Sequence, residues 1–216
     1  MCVTKLAGRL PIILALCLGV EACAWAQGAG VPQAQQQLII TANITGEQYC
    51  LNSPVMATLQ LRLHLRYTNT STQKLILYKG EDLFYQAKIR AKVAPTGAKP
   101  YEVVVLNARY LEEENEPVEQ PAPGKLFVIL QPGASYETDT TVGVGITNGS
   151  GQRDRHAIME GEHTLQLVVS TWYRSQGVAE KLRKQWQRKG LLWSMPVMSN
   201  AITFRAERPA ELSPCK

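Results

Sequence analysis

Over residues 55–68 the chain alternates. Val55, Ala57, Leu59, Leu61, Leu63, Leu65 and Tyr67 fall on one side, and Met56, Thr58, Gln60, Arg62, His64, Arg66 and Thr68 on the other. A period of two sends successive side chains to opposite faces of a pleated strand, so the segment predicts a half-buried antiparallel strand. A helix would scatter the same leucines around its axis. Asn69-Thr70-Ser71 then ends the run with turn chemistry. The rhythm recurs with Tyr85, Ala87, Ile89, Ala91 and Val93, with Tyr136, Thr138, Thr140, Val142, Val144 and Ile146, and with His163, Leu165, Leu167, Val169 and Thr171. More continuous apolar runs occupy 38–44, 75–78, 101–108, 126–130 and 197–204. Pro95-Thr96-Gly97, Pro132-Gly133 and Asn148-Gly149-Ser150-Gly151 punctuate them. About nine short strands at this spacing predict an all-β antiparallel sandwich.

Two segments break the rhythm. Residues 112–124 are dense in glutamate and proline and read as a solvated loop at a hairpin tip. Residues 178–189 read as a helix inserted before the last strand. Val178, Leu182 and Trp186 form one stripe, Lys181, Lys184 and Arg188 lie opposite, Glu180 and Lys184 are spaced for an ion pair, and Gly190 follows as a stop.

The N-terminal segment has the layout of an export signal. Lys5 and Arg9 precede an apolar stretch over 10–20, Glu21 ends it, and Ala24-Trp25-Ala26 supplies small residues for cleavage before Gln27. Lipoprotein anchoring at Cys23 fits less well, because Glu21 stands where a lipobox takes a small or apolar residue. The expected organisation is a signal peptide at 1–26, a flexible linker at 27–36, a sandwich at 37–207 and a tail at 208–216. The mature protein is then secreted or periplasmic. Cleavage removes Cys2, Cys17 and Cys23 and leaves Cys50 and Cys215, which in an oxidising compartment predict one disulfide. A loop that long is worth about 5 kcal/mol in the chain-entropy account.

Composition narrows the function classes. The 216 residues are 45% hydrophobic and 19% charged, which supports a packed core and excludes a disordered tail. A net charge of +5 without a clustered basic run does not mark a nucleic-acid binder.

Glu160-Gly161-Glu162-His163-Thr164-Leu165-Gln166-Leu167 resembles the Gly-x-Tyr-x-Leu/Val-x-Val entry to the penultimate strand of immunoglobulin-like domains, with His163 at the Tyr position. Asn69-Thr70-Ser71 followed by Leu75-Ile76-Leu77 is similar to strands B and C of bacterial secreted domains of this class. Gln131-Pro132-Gly133-Ala134-Ser135-Tyr136 resembles the Pro-Gly turn leading into strand E. The resemblance extends over 37–207 and implies an immunoglobulin-like sandwich whose first and last strands run parallel. Cys50, just after the first strand, and Cys215, beyond the last, would then lie at one end, and their bridge would pin the tail. It also implies that a His163 ring nitrogen serves the hydrogen bond made by the Tyr hydroxyl. It implies a fold rather than an activity.

Motifs for chemistry are sparse. His64, His156 and His163 lie in no metal-ligand spacing, and no nucleophile elbow or phosphate-binding loop occurs. Gly143-Val144-Gly145 sits inside a strand pattern, where paired glycines mark a bend or a close approach. Asp139, Asp154, Glu160 and Glu162 lack the spacing of a calcium loop. Asn43-Ile44-Thr45, Asn69-Thr70-Ser71 and Asn148-Gly149-Ser150 match the glycosylation pattern but in a bacterium read as inert turn residues.

The expectation is a non-enzymatic binding or structural domain without a cofactor, contacting a protein or another envelope component. The insertion over 177–195 is the candidate surface, with Lys181, Lys184, Trp186, Arg188 and Trp193 as contacts. Its basic face could also lie on an anionic membrane surface. The competing reading has Val178, Leu182 and Trp186 covering one face of the sandwich. Two other classes stay open. A secreted metal protein or enzyme needs His64, His156 or His163 to converge with carboxylates, and a proteinase inhibitor would present 112–124 as bait.

Overall fold

Leu59, Leu61, Leu63 and Leu65 are fully buried, as the alternation requires, at the centre of β2 (Met56–Asn69). The structure is a computed structural model that describes residues 37–53, 56–79, 84–92, 101–107, 122–147, 157–170, 172 and 175–215. β2 pairs antiparallel on one side with β1 (Leu38–Ser53) and on the other with β7 (Ser135–Ile146). β8 (Ala157–Ile158) extends this sheet along β7. A second sheet has the order β11 (Pro196–Met198), β9 (Gly161–Ser170), β4 (Phe84–Ala91), β5 (Glu102–Asn107), with β12 (Ile202–Ala206) also on β9. A small third sheet runs β10 (Leu191–Leu192), β3 (Leu75–Tyr78), β6 (Phe127–Leu130). The single described helix, α1 (Gln176–Trp186), falls between β9 and β10.

The protein is therefore mostly β, as the periodicity predicts. The inner faces of the two large sheets share one core, into which β1 sends Leu38 and Ile40, β4 sends Ala87 and Ile89, and β9 sends Leu165 and Leu167. Each such leucine or isoleucine contributes about 1.5–3 kcal/mol on burial. Polar bonds cross the same space: the Tyr85 hydroxyl donates to the Thr141 carbonyl of the opposite sheet at 2.5 Å. The Tyr67 hydroxyl, also inside, has no hydrogen-bond partner among the described residues, and burial pushes its pKa above the ordinary tyrosine value.

Three local departures from the expected strands have physical causes. β1 does not stop at Ile44 but runs to Ser53. Thr45-Gly46 has turn composition yet forms a β-bulge: Ile44 pairs with Leu63 and Gly46 with Arg62, leaving Thr45 as the extra residue. The polar half beyond the bulge is held by its register with β2, so Cys50 lies within the first strand and not after it. The expected strand over 197–204 is broken in two. At the break Asn200 leaves the β9 edge and pairs its amide with the backbone of Ala42, accepting from its N–H at 2.7 Å and donating to its C=O at 3.1 Å. Ser199 keeps the β9 hydrogen bonds intact, its N–H donating to Leu167 O and its hydroxyl accepting from Leu167 N. One edge of the two sheets is thereby joined. Finally, the described residues form twelve strands rather than nine, the added ones including β8 and β10, two residues each.

Turns follow their chemistry. Pro132-Gly133 lies between Gln131 O and Ala134 N, bonded at 3.0 Å, with Gly133 at φ 76°, a type II turn that needs glycine at its third position. Asn69 is fully buried and fully bonded: its side-chain NH2 donates to Gln73 O and Leu130 O, and its side-chain oxygen accepts from Ser71 N and Ser71 Oγ. It ties the end of β2 to the β2–β3 turn and to β6.

Cys50 and Cys215 form the expected disulfide, with Cα atoms 4.8 Å apart and a sequence separation of 165. The tail is also hydrogen-bonded: Leu51 N–H donates to Ser213 O at 2.8 Å and Cys215 N–H to Leu51 O at 3.0 Å, a parallel bridge beside β1. The signal peptide, the linker over 27–36 and the acidic stretch over 112–121 lie outside the described residues.

Candidate functional site

α1 begins where Ser175 caps it, its hydroxyl accepting from Val178 N. Ala179, Leu182 and Trp186 are buried along one stripe. They meet Ile76, Leu192 and the half-buried Phe127, on the side of the small sheet away from the main core. The run Leu75-Ile76-Leu77 explains how: Leu75 and Leu77 point into the main core and Ile76 points up under the helix, so both faces of β3 are buried. Trp186 packs edge-to-face on Phe127, ring centroids 5.0 Å apart.

This corrects one candidate contact. Trp186 has no exposed surface and is a core residue of the helix–sheet junction. The apolar stripe covers a sheet rather than awaiting a partner, because β3 offers it a matching outer residue. Trp193 is half-buried, packs at the margin of the main core and donates its indole N–H to Met195 O at 2.8 Å. Lys181, Lys184 and Arg188 are exposed, as expected, and Lys189 joins them. None of these four forms an ion pair among the described residues; the expected Glu180–Lys184 pair does not close.

Arg183 behaves differently and was not singled out by the sequence. It sits on the flank of the buried stripe, half-buried, and its Nε donates to Leu192 O at 3.0 Å. A second guanidinium nitrogen bonds the Ser194 hydroxyl, which donates onward to Gln176 Oε1. Past Trp186 the chain turns at Gly190, whose φ is 155° and whose missing Cβ would lie 2.8 Å from Lys74 O. Only glycine lets residues 190–191 approach β3 this closely, and Leu191 N–H then donates to Lys74 O to start the parallel β10–β3 pairing. An open recess of about 340 Å³ results, lined among the described residues by Gln73, Lys74, Arg183, Gln187, Arg188, Lys189, Gly190 and Leu191, none of them a carboxylate.

The two described histidines, His64 and His163, do not converge. His64 lies on the outer face of β2, its Nδ1 2.8 Å from Asp139 Oδ1 and its Nε2 3.6 Å from Glu137 Oε2, both carboxylates on β7. His163 lies inside the second sheet, 1% exposed and stacked on Phe204. Its Nδ1–H donates to Gly161 O at 2.9 Å, leaving Nε2 to accept from the Tyr101 hydroxyl at 3.1 Å. Tyr101 oxygen in turn accepts from Met159 N–H. Every polar atom of this chain is used with the imidazole neutral. Burial lowers the His163 pKa, partly offset by the Gly161 carbonyl.

His156 and Asp154 lie outside the described residues. The other three carboxylates of that set are engaged elsewhere: Asp139 with His64, Glu162 with Lys92 at 3.4 Å, and Glu160 with the Arg208 N–H. No cluster of three His, Cys, Asp or Glu suited to a metal occurs among the described residues. Gly143 and Gly145 pair in register with Gln60 and Thr58 and do not form a loop. Asn69 is buried in its own bonds and closed to glycosylation in the folded protein, whereas Asn43 is exposed in mid-strand rather than in a turn. No described helix is long and apolar enough to cross a membrane. The sequence matches no protein-family model and no curated protein.

Proposed function

We propose that the protein is an exported, non-enzymatic binding module of the immunoglobulin-like class, and that the outward face of α1 holds an acidic protein or another anionic envelope component. The observation that carries this reading is the division of labour within the helix. Its apolar stripe is consumed by β3, yet Lys181, Lys184, Arg188 and Lys189 stand on the outer side without ion pairs among the described residues. Like charge gathered on one face of a rigid element steers an oppositely charged partner.

The class assignment draws support from His163, whose Nδ1–H bond to Gly161 O ties down the entry to β9 in place of a tyrosine hydroxyl. Export draws support from the Cys50–Cys215 bridge, since such bonds persist in oxidising compartments. The test is recovery of partners from the cell's own envelope extract by the processed protein and by Lys181→Glu/Lys184→Glu. These positions are solvent-facing, so the variant keeps the fold. Loss of a specific partner supports the reading; identical recoveries from both proteins refute it.

A further inference from the structure

We infer that the recess at the C-terminal end of α1 is a binding pocket for a phosphate group. The inference rests on the reading above and says where on that face the partner's anionic group is seated. Four cations surround the recess: Lys74 from the β2–β3 side, Arg183 from the helix, and Arg188 and Lys189 from the segment that follows it. Gln73 and Gln187 add amide donors, and no carboxylate lines the recess among the described residues. Cations gathered without a counter-charge repel one another, and an anion seated among them removes that cost.

The helix itself does not absorb the charge. A helix C-terminus carries about half a negative charge, too little to balance four cations. The Trp186 carbonyl moreover accepts from both Lys189 N–H and Gly190 N–H.

The walls are preorganised. Gln73 O accepts from the buried Asn69 amide at 2.8 Å, which anchors one side. Lys74 O accepts from Leu191 N–H at 2.8 Å, which anchors the other. The Arg183 guanidinium is held by Leu192 O and Ser194 Oγ, so its charge is fixed at the rim rather than waving in solvent. Fixed guanidinium and ammonium groups at the edge of a recess suit the oxygens of a phosphate. A volume of about 340 Å³ suits a small phosphate-bearing group rather than a bare surface ion.

The phosphate could come from a soluble compound or from a lipid headgroup, and two arms separate these. Sodium pyrophosphate is titrated into the processed protein calorimetrically at low salt, and phosphatidylglycerol vesicles are tested by co-sedimentation against phosphatidylcholine vesicles. Lys74→Ala/Lys189→Ala is the pocket variant and Lys181→Ala/Lys184→Ala the control on the rest of the helix face; unchanged thermal midpoints verify folding. The expected result is binding of at least one probe that weakens at least about tenfold in the pocket variant and clearly less in the control. Pyrophosphate alone identifies a soluble phosphate, vesicles alone a lipid headgroup. Binding of neither probe, or equal binding by the wild type and the pocket variant, overturns the pocket. If Lys181→Glu/Lys184→Glu still abolishes partner recovery in that case, the binding-module reading survives without it.

Discussion

His163 is a buried imidazole whose two nitrogens are committed to one carbonyl and one hydroxyl, an arrangement that only the neutral ring satisfies. Protonation would turn Nε2 from an acceptor into a donor facing the Tyr101 hydroxyl, which already accepts from Met159 N–H. The folded-state pKa is lowered, so the unfolded chain takes up the proton first as pH falls. The contribution of His163 is thus fully present above the ordinary histidine value, near 6.5, and is lost as pH drops toward the folded-state pKa. We expect His163→Gln, which can donate and accept without titrating, to show a smaller fall in thermal midpoint than the wild type between neutral and mildly acidic pH. Parallel declines in the two proteins would remove His163 as the source. The inward side of His163 was legible from the alternation with Leu165, Leu167 and Val169. Its partner Tyr101 was not, because nothing local in the sequence links residues so far apart.

At the scale of elements, legibility followed burial of one face. β2, β3, β7 and β9 alternate or run apolar because the core demands it, and their bounds fall close to those read from the pattern. The second half of β1 is polar and includes Gly46, so only its long-range register with β2 makes it a strand. The interruption at Ser199-Asn200 depends on the Ala42 backbone, a tertiary bond that overrides the apolar run. The helix was visible from its three-residue stripe; which surface it would cover was not, because that turned on Ile76 pointing away from the core. Of the recess, Arg188 was visible, but Lys74 and Gln73 join it only through the two-residue pairing of β10 with β3. That pairing hangs on Gly190. Substituting alanine places a Cβ against Lys74 O and holds a side-chain-bearing residue at φ 155°. We expect Gly190→Ala to cost about 2–3 kcal/mol in urea unfolding. A loss no larger than that of Gly177→Ala, in the open first turn of α1, would show the approach to be adaptable.

For the whole molecule, the two large sheets supply the core while two ties close it: the Asn200–Ala42 bonds at one edge and the Cys50–Cys215 bridge with the paired tail. Reduction releases the tail as well as the loop constraint. Cys50→Ser/Cys215→Ser should lose up to about 5 kcal/mol in equilibrium unfolding and expose residues 208–216 to proteolysis before the rest. Unchanged stability and an intact tail would mean that the hydrogen bonds beside Leu51 hold this end unaided.

The bridge also governs how the protein answers a pulling force. Residues 50 and 215 are covalently short-circuited, so tension applied between the stretch before Cys50 and the C-terminal end bypasses nearly the entire domain. Of the contour the polypeptide contains, roughly 550 Å stays hidden behind the sulfur–sulfur link until it is reduced. An anchored copy would bear load along residues 38–49 of β1 and then through the sulfur–sulfur link, so the polypeptide between the cysteines, α1 included, is never drawn out end to end.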